Sequence, residues 1–225
     1  MTDSRLQRLN MVESQVRTSD VTDRRIIKAM LDVPREVFVP PELASIAYMD
    51  EPVSVVVPRR NGADATRQLL APRAFAKLVQ LANINETSVV LDVGCATGYS
   101  TAVLAKIAER VVALECDKVL ADFAASTLRA LGVANAVVLH GSLGAGAPAE
   151  APFDAIILNG AVPSVPPALL GQLRDGGRLA AIVAEGPLAR AQVALRSGAT
   201  FDTRPAFEAA AGPLPGFERA PGFAF

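Results

Sequence analysis

The apolar residues of this chain change their period along the sequence, and the change separates a helical N-terminal part from the rest. Within residues 1 to 50 a spacing of three and four positions predicts amphipathic helices. The second pattern ends before Pro34, because the interior of a helix does not tolerate proline. The positions that carry the pattern are Leu6, Leu9, Val12 and Val16, followed by Ile26, Ile27, Met30 and Leu31.

The segment "PVSVVVPRRNGADATRQLLAP", residues 52 to 72, connects the two parts of the chain. It predicts a short strand, an exposed turn at Asn61-Gly62 and a polar approach to a helix that begins near Pro72. We expect this polar stretch to be a loop that contacts the substrate.

From residue 88 onward, near-continuous apolar runs alternate with helical patterns. Helices are predicted after Gly98, from about Asp117 to Leu131, and after Pro166. The tail adds one more strand pattern and a Pro/Gly/Phe-rich end that folds back on the sheet. The apolar runs are "SVVLDV", "VVALE", "AVVLH", "FDAIILN" and "GRLAAIVA". This alternation is typical of an α/β, doubly wound, mostly parallel sheet covered on both faces, which binds ligands at the carboxyl ends of its strands.

Length and composition restrict the organisation further. The 225 residues allow one compact unit, which we divide into an N-terminal helical cap and substrate loop over 1–75 and a ligand-binding domain over 76–225. The formal net charge of -1 gives no electrostatic reason to expect nucleic acid or an acidic membrane surface. Two cysteines without metal-ligand spacing and the lack of a long apolar run favour a metal-free, cytoplasmic protein.

The sharpest local signal is the turn in "VVLDVGCATGYSTAVLA", where a buried strand enters a helix through Gly94 and Gly98. Glycines there let the backbone approach a ligand, and the following helix directs free N–H groups at it. The turn lacks the third glycine of a dinucleotide fingerprint and the lysine of a P-loop. A tight turn without any ligand is the alternative.

The strand "VVALE" ends in Glu115, which lies 21 residues after Gly94. An acidic residue about 20 residues beyond such a turn accepts hydrogen bonds from a ribose diol. Taken alone, an acidic residue at a strand end such as Glu115 is more often a solvated carboxylate. Together the two signals indicate a ribose-bearing ligand without a pyrophosphate, and they suggest S-adenosylmethionine.

Four segments give the chain a resemblance to the protein-L-isoaspartate O-methyltransferase family from near its start to about residue 185. They are "AMLDVPREVFVP", "AYMDEPV", "VVLDVGCATGYSTAVLA" and "FDAIILNGAVPSVPPALLGQLRDGGRLAAIV". The resemblance implies a seven-stranded Rossmann-like methyltransferase sheet and transfer of a methyl group from S-adenosylmethionine to an isoaspartyl carboxylate of a protein or peptide. The positions that it assigns to the cofactor are Asp92, Gly94, Ala96, Gly98, Glu115, Cys116, Gly141, Ser142 and Asn159.

This sequence departs from the family pattern at three places. Ala96 stands where the family has a further glycine, and Gly141-Ser142 replaces a Gly-Asp pair whose carboxylate contacts the adenine. The substrate loop of the family reads Gln-Thr-Ile-Ser-x-Pro, and this chain has "TRQLLAP". Aligned on the proline, Gln68 and Leu70 occupy the positions of the two hydroxyls, whereas a one-residue gap places Ala71 at the serine.

The altered loop leaves three functions open. The first is isoaspartyl carboxyl methylation, in which Arg67 or Arg73 grips the carboxylate unless both are solvated. The second is methylation of another acceptor, and the third is cofactor binding without catalysis. His140, the only histidine, is interpreted as structural or as a neighbour of the adenine. Asn159 faces the methyl-transfer centre or caps its strand.

Overall fold

The structure is a computed structural model that describes residues 3–57, 64–185 and 188–218. Its helices are α1 (Ser4–Met11), α2 (Arg24–Asp32), α3 (Pro72–Ala82), α4 (Tyr99–Leu104), α5 (Lys118–Ala130) and α6 (Pro167–Leu170). Its strands are β1 (Val53–Val57), β2 (Ala65–Leu69), β3 (Val89–Val93), β4 (Arg110–Glu115), β5 (Ala136–His140), β6 (Phe153–Val162), β7 (Leu173–Glu185), β8 (Leu188–Ser197) and β9 (Thr200–Glu208).

Aspartates fix the start of three helices. The side chains of Asp3 and Asp23 accept hydrogen bonds from backbone N–H groups in the first turns of α1 and α2. Asp117 does the same for α5 and lies two residues after the end of β4. Because such caps satisfy otherwise unpaired N–H groups, they define where each chain segment turns into a helix.

Seven strands form the central sheet in the order β5-β4-β3-β6-β7-β8-β9. The pairings from β5 to β7 are parallel, and β8 and β9 are added antiparallel at one edge. The order reverses between β3 and β6, so the ends of these two strands form the crevice where open sheets bind ligands. The predicted doubly wound, mostly parallel seven-stranded fold is confirmed.

Alternating strand residues divide the interior between the two faces of the sheet. Val90 and Ile157 pack on the face covered by α1–α3, while Leu91 and Ile156 pack on the opposite face. The first of these cores also contains Phe75 of α3, so the N-terminal part and the sheet share one core. The boundary between residues 75 and 76, which stays a prediction, falls within α3.

The N-terminal pattern is only partly buried. Val12 and Val16 are fully buried, and Ile26, Ile27 and Met30 follow as predicted. Leu6 and Leu9 belong to the predicted helical pattern, which α1 confirms, but they are 53% and 44% exposed. No helix of the described residues is long and apolar enough to cross a membrane.

The connecting segment forms a hairpin in which β2 pairs antiparallel with β1. The expectation of an irregular loop was therefore wrong for residues 65–69, which form a strand. The predicted turn at Asn61-Gly62 lies outside the described residues. The helix predicted near Pro72 begins at Pro72, where proline suits the first helical position.

The tail contains two strands where the sequence pattern predicts one. Nearly every residue of β9 is exposed, so the strand shows no apolar alternation to reveal it. Residues 209–218, which we call the covering segment, then return across the ends of β3 and β6. Ala161 donates to the carbonyl of Gly212 and Leu214 donates to the carbonyl of Ala161, each at 2.8 Å, as the predicted fold-back requires.

Candidate active site

The glycine turn, residues 94–98, leaves β3 with three residues in the left-handed region. Gly94, Ala96 and Gly98 have φ of 72°, 50° and 98°. Glycine adopts this region without steric cost, whereas alanine there costs roughly 1–2 kcal/mol. A Cβ at Gly98 would lie 3.2 Å from the Cβ of Ala124, so α5 also restricts that position.

Asp92 is completely buried near the end of β3, and its carboxylate is hydrogen-bonded to other side chains of the protein. Its carboxylate accepts from the hydroxyls of Ser100 and Thr101 at 2.8 and 2.6 Å and from the Nδ2 of Asn159 at 2.5 Å. Burial raises the pKa of Asp92, and these three hydrogen bonds oppose the rise. Asn159 also donates to the carbonyl of Val93, so it acts as a strand cap beside the cleft.

Glu115 is the other fully buried carboxylate of this edge. Its oxygens accept from the backbone N–H groups of Ala96 at 3.0 Å, Cys116 at 2.8 Å and Asp117 at 3.0 Å. Arg67 completes the set with a 2.9 Å ion pair from β2. The predicted ribose acceptor therefore lies against the glycine turn, but an arginine side chain already contacts it.

The remaining positions assigned to the cofactor surround Glu115. The Sγ of Cys116 lies 2.9 Å from the Nη2 of Arg67, and burial raises the pKa of this thiol. Gly141 donates to the carbonyl of Glu115, while Ser142 is exposed and precedes a short turn. His140 is exposed, and its Nε2 lies 3.1 Å from the carbonyl oxygen of Cys116.

Residues 66–72, for which we keep the name acceptor loop although most of them belong to β2, lie across the cleft from the glycine turn. Leu70 is buried and Gln68 is half-buried. Both line a cavity of about 10 Å³ together with Gly94 and Asn159. Arg73 points away from it and forms an exposed ion pair with Asp50 at 3.1 Å. Neither arginine considered for the acceptor carboxylate is solvated and unpaired.

Two functional candidates were missed by the sequence analysis, namely Arg35 and Tyr99. Both are buried and line the same cavity, and the Arg35 guanidinium carbon lies 4.6 Å from the centre of the Tyr99 ring. Arg35 donates to the carbonyls of Ala47 at 2.7 Å and Leu70 at 2.9 Å. The one available signal was a charged residue within the apolar run "VPREVFVP".

The covering segment fills part of the crevice. Leu214 is 4% exposed and lies so close to the turn that a Cβ at Gly94 would be 2.6 Å from its Cδ2. A Cβ at Gly160 would be 2.7 Å from the Cγ of Leu214. These two glycines therefore allow the covering segment to approach the ends of β3 and β6.

The residues of this edge suit S-adenosylmethionine in kind. The glycine turn lets the backbone approach a ligand, and the buried carboxylate of Glu115, which follows Gly94 by 21 residues in the sequence, lies against this turn. In this conformation Arg67 contacts that carboxylate and Leu214 lies over Gly94. The polar groups fit the cofactor, and side chains of the protein itself already contact both the carboxylate and the turn. Among the described residues no cluster of metal-ligating side chains is present.

Sequence comparison identifies relatives along most of the chain. Residues 7–204 match the model of the protein-L-isoaspartate(D-aspartate) O-methyltransferase family. The chain is 38% identical over 172 residues to protein-L-isoaspartate O-methyltransferase 2 of Shewanella sediminis, which covers 76% of this chain and 67% of the relative. It is 40% identical over 181 residues to the protein-L-isoaspartate O-methyltransferase of a Synechococcus species, with coverages of 80% and 71%.

Structural comparison finds the same fold in two proteins. A protein-L-isoaspartate O-methyltransferase superposes with a TM-score of 0.79 at 22% identity, covering 93% of this chain and 67% of that protein. A Plasmodium falciparum protein described as a protein-L-isoaspartate O-methyltransferase was solved in complex with S-adenosyl-L-homocysteine. It superposes with a TM-score of 0.73 at 21% identity, covering 96% and 100%. At these identities the likeness establishes the fold.

Proposed function

Because the chain belongs to the protein-L-isoaspartate(D-aspartate) O-methyltransferase family, we propose that it methylates the side-chain carboxylate of isoaspartyl residues in damaged proteins or peptides. Family membership confirms the predictions of an S-adenosylmethionine-dependent carboxyl O-methyltransferase and of its cofactor. The observation that carries the proposal is the contact between the glycine turn and Glu115, which pairs a close backbone approach with a ribose acceptor.

Methyl transfer to a carboxylate does not require general acid or base catalysis by the protein. An isoaspartyl carboxylate has a pKa near 4 and is ionised at neutral pH, so it needs no general base. When bound, S-adenosylmethionine supplies a methyl group activated by its sulfonium. The protein contributes by aligning the acceptor with that group and by excluding water.

The described residues divide these tasks between the two sides of the cleft. The glycine turn and Glu115 would hold the adenosine, with Gly141, Ser142 and Cys116 beside it. Asp92 and Asn159 fix the ends of β3 and β6 through their mutual hydrogen bond. The buried side chains of Leu69 and Leu70 keep water from the acceptor side.

The acceptor loop is the part of the site where this chain differs from the family. Gln68 and Leu70 stand where the family has hydroxyl side chains, and removing one positioning hydrogen bond costs on the order of 1–3 kcal/mol, or roughly ten- to a hundredfold in rate. This replacement supports a second candidate, a methyltransferase of the same fold that uses another acceptor. The non-catalytic cofactor-binding alternative would give cofactor binding without any methylated product.

The test of the proposed function measures transfer of labelled methyl from S-adenosylmethionine to an isoaspartyl peptide and to its normal aspartyl counterpart. We expect slow but detectable labelling of the isoaspartyl peptide only, because its carboxylate brings its own nucleophilicity. Equal labelling of both peptides, or of neither while S-adenosylhomocysteine still binds, would contradict the proposal.

A double substitution in the acceptor loop tests what limits the rate. Changing Gln68→Thr and Leu70→Ser restores the family's hydroxyls and should raise isoaspartyl methylation by up to roughly a hundredfold, at about 1.4 kcal/mol for each hydrogen bond. Cofactor affinity and melting temperature are the controls. An unchanged rate in a folded variant would favour the second candidate, in which the loop serves a different acceptor.

We also propose that the isoaspartyl partner is met in the cytoplasm. Both cysteines, Cys95 and Cys116, are free thiols, as is usual in a reducing compartment. Cell fractionation of the native host, with detection by a specific antibody, tests this placement.

A further inference from the structure

Arg35 is a buried cation whose surroundings leave one of its nitrogens without a protein partner. Its side chain is fully buried, and its Nε and Nη2 donate to the carbonyls of Ala47 and Leu70. Its Nη1 has no hydrogen-bond partner. Among the described residues no carboxylate forms an ion pair with Arg35, although a buried charge is normally paired.

Tyr99 presents a second unused donor beside it. Its hydroxyl is buried and has no hydrogen-bond partner, and the guanidinium of Arg35 lies over its ring. Phe38 and Phe75 each lie 5.7 Å from this ring, between centroids, and hold it in place. Native structures pair almost all buried polar atoms, so these two adjacent donors require an acceptor that the protein does not supply, either a ligand or a buried water.

The position of these donors identifies what they could bind. Arg35 and Tyr99 line the cavity that also contacts Gly94, Leu70 and Asn159. An N–H of a guanidinium and an O–H of a phenol can both donate to one carboxylate, which is the anion that best matches them. Burial lowers the pKa of Arg35, and a bound anion would offset this loss of solvation.

We propose that Arg35 and Tyr99 form a carboxylate-binding subsite of the acceptor cavity. This inference rests on the proposed function for its two carboxylate sources, which are the isoaspartyl side chain of the acceptor and the amino-acid carboxylate of the cofactor. In its structural alternative Arg35 only joins the N-terminal part to the acceptor loop and interacts with the Tyr99 side chain. That alternative accounts for the Nε and Nη2 contacts but gives the Tyr99 O–H group no acceptor. In the subsite the arginine takes the role of the hydroxyls missing at Gln68 and Leu70.

The cavity measures about 10 Å³ in this conformation, which is close to the space that a single water molecule needs. A carboxylate therefore enters only when the acceptor loop moves outward. Because Arg35 donates to the carbonyl of Leu70, such a movement changes the hydrogen bonding of this arginine directly. The subsite and the loop are mechanically linked.

Formate is the first probe, because it tests the subsite without any turnover. Thermal unfolding of the protein in formate, with chloride at equal ionic strength as reference, should show a higher melting temperature for the wild type. Tyr99→Phe removes only the hydroxyl and should reduce the shift by more than half. Tyr48→Phe is the matched control, because the Tyr48 hydroxyl bonds Glu36 and does not line the cavity, so its removal should leave the formate shift unchanged.

Kinetics and calorimetry then distinguish the two carboxylate sources. If the acceptor binds here, Tyr99→Phe and Arg35→Lys raise KM for the isoaspartyl peptide by about tenfold or more and leave S-adenosylhomocysteine affinity unchanged. If the cofactor binds here, both variants weaken S-adenosylhomocysteine but not an analogue that lacks the carboxylate. Arg178→Lys, another arginine that donates to a backbone carbonyl, is the control for arginine replacement.

The outcomes separate this inference from the proposed function. A formate shift in the wild type that Tyr99→Phe abolishes would support the subsite even if no isoaspartyl peptide is methylated. Equal formate shifts in wild type and Tyr99→Phe, with unchanged KM and cofactor affinity, would overturn it and assign the orphan donors to a buried water. Tyr99→Phe keeps the test decisive if Arg35→Lys does not fold.

Discussion

Two arginines reach the carboxyl edge of the sheet from the N-terminal part of the chain, and they meet opposite surroundings. Arg67 forms a 2.9 Å ion pair with the buried Glu115, whereas Arg35 is buried without a carboxylate partner in the described part of the chain. On the Arg67 side both carboxylate oxygens of Glu115 are hydrogen-bonded, although the Nε of Arg67 has no described partner. On the Arg35 side two donors lack acceptors.

The difference predicts how each side responds to a ligand. On the Glu115 side an incoming hydroxyl replaces an existing hydrogen bond, so the exchange gains little free energy. On the Arg35 side an incoming anion satisfies donors that are already desolvated. The buried carboxylate of Glu115 therefore has its cation where the adenosine is expected, whereas the buried guanidinium of Arg35 has no carboxylate partner among the described residues where the acceptor is expected.

The largest loss of unfolding free energy should come from removing the carboxylate of Glu115. Glu115→Ala leaves Arg67 and three backbone N–H groups without their acceptor, and breaking a buried ion pair in this way costs about 3–5 kcal/mol of unfolding free energy. Urea denaturation measures it. Glu208→Ala is the control, because its surface ion pair with Arg190 is worth less than about 1 kcal/mol. Similar losses in both variants would contradict the buried network.

A smaller change should appear when the competing cation is removed. Arg67 aligns with the glutamine of the family's loop, so Arg67→Gln frees Glu115 and should tighten S-adenosylhomocysteine binding by up to roughly tenfold, or about 1.4 kcal/mol. Titration calorimetry measures this affinity, with Arg73→Gln as the control on an exposed ion pair.

Weaker binding by Arg67→Gln would show that the arginine holds the ligand instead of competing with it. The methylation rate of the same variant addresses the earlier expectation for Arg67. A lower rate with unchanged cofactor affinity would mean that Arg67 grips the acceptor carboxylate.

The smallest effect concerns the turn between the two sides. Ala96→Gly relieves a left-handed alanine and should raise the free energy of unfolding by roughly 1 kcal/mol without changing the Ala96 N–H bond to Glu115. Ala125→Gly, in the middle of α5, should lower it by about the same amount. A loss of stability in both variants would show that the turn is not strained.

The local sequence pattern was enough to locate the residues on the Glu115 side of the cleft. Asp92, Gly94 and Glu115 each follow directly from an apolar run, so their position at the strand ends is a property of neighbouring residues. Their partners were less accessible, because Arg67 is 48 residues from Glu115 along the chain. Which arginine reaches which carboxylate depends on how the hairpin packs, and no local period encodes that.

The unsatisfied side depends on longer contacts still. Arg35 and Tyr99 come into contact only when the N-terminal part, α3 and the glycine turn pack into one core. Their contact could therefore not be derived from any one of these segments alone. The strand β9 was missed for a different reason. It lies at an exposed edge and contains Pro205, Asp202 and Arg204, which hide the strand period but protect an edge against pairing with other chains.

Proteolysis of the covering segment can report whether the cleft beneath it is occupied. Two backbone hydrogen bonds attach this segment to Ala161, one to the carbonyl of Gly212 and one from the N–H of Leu214. A protease cleaves only backbone that can detach and extend in its active site. Cutting within residues 209–218 should thus proceed at the rate at which this segment detaches. A ligand that shares its space would accelerate the cutting, and one that packs beneath it would slow it, so a gel lane reports the state of the cleft without label or turnover.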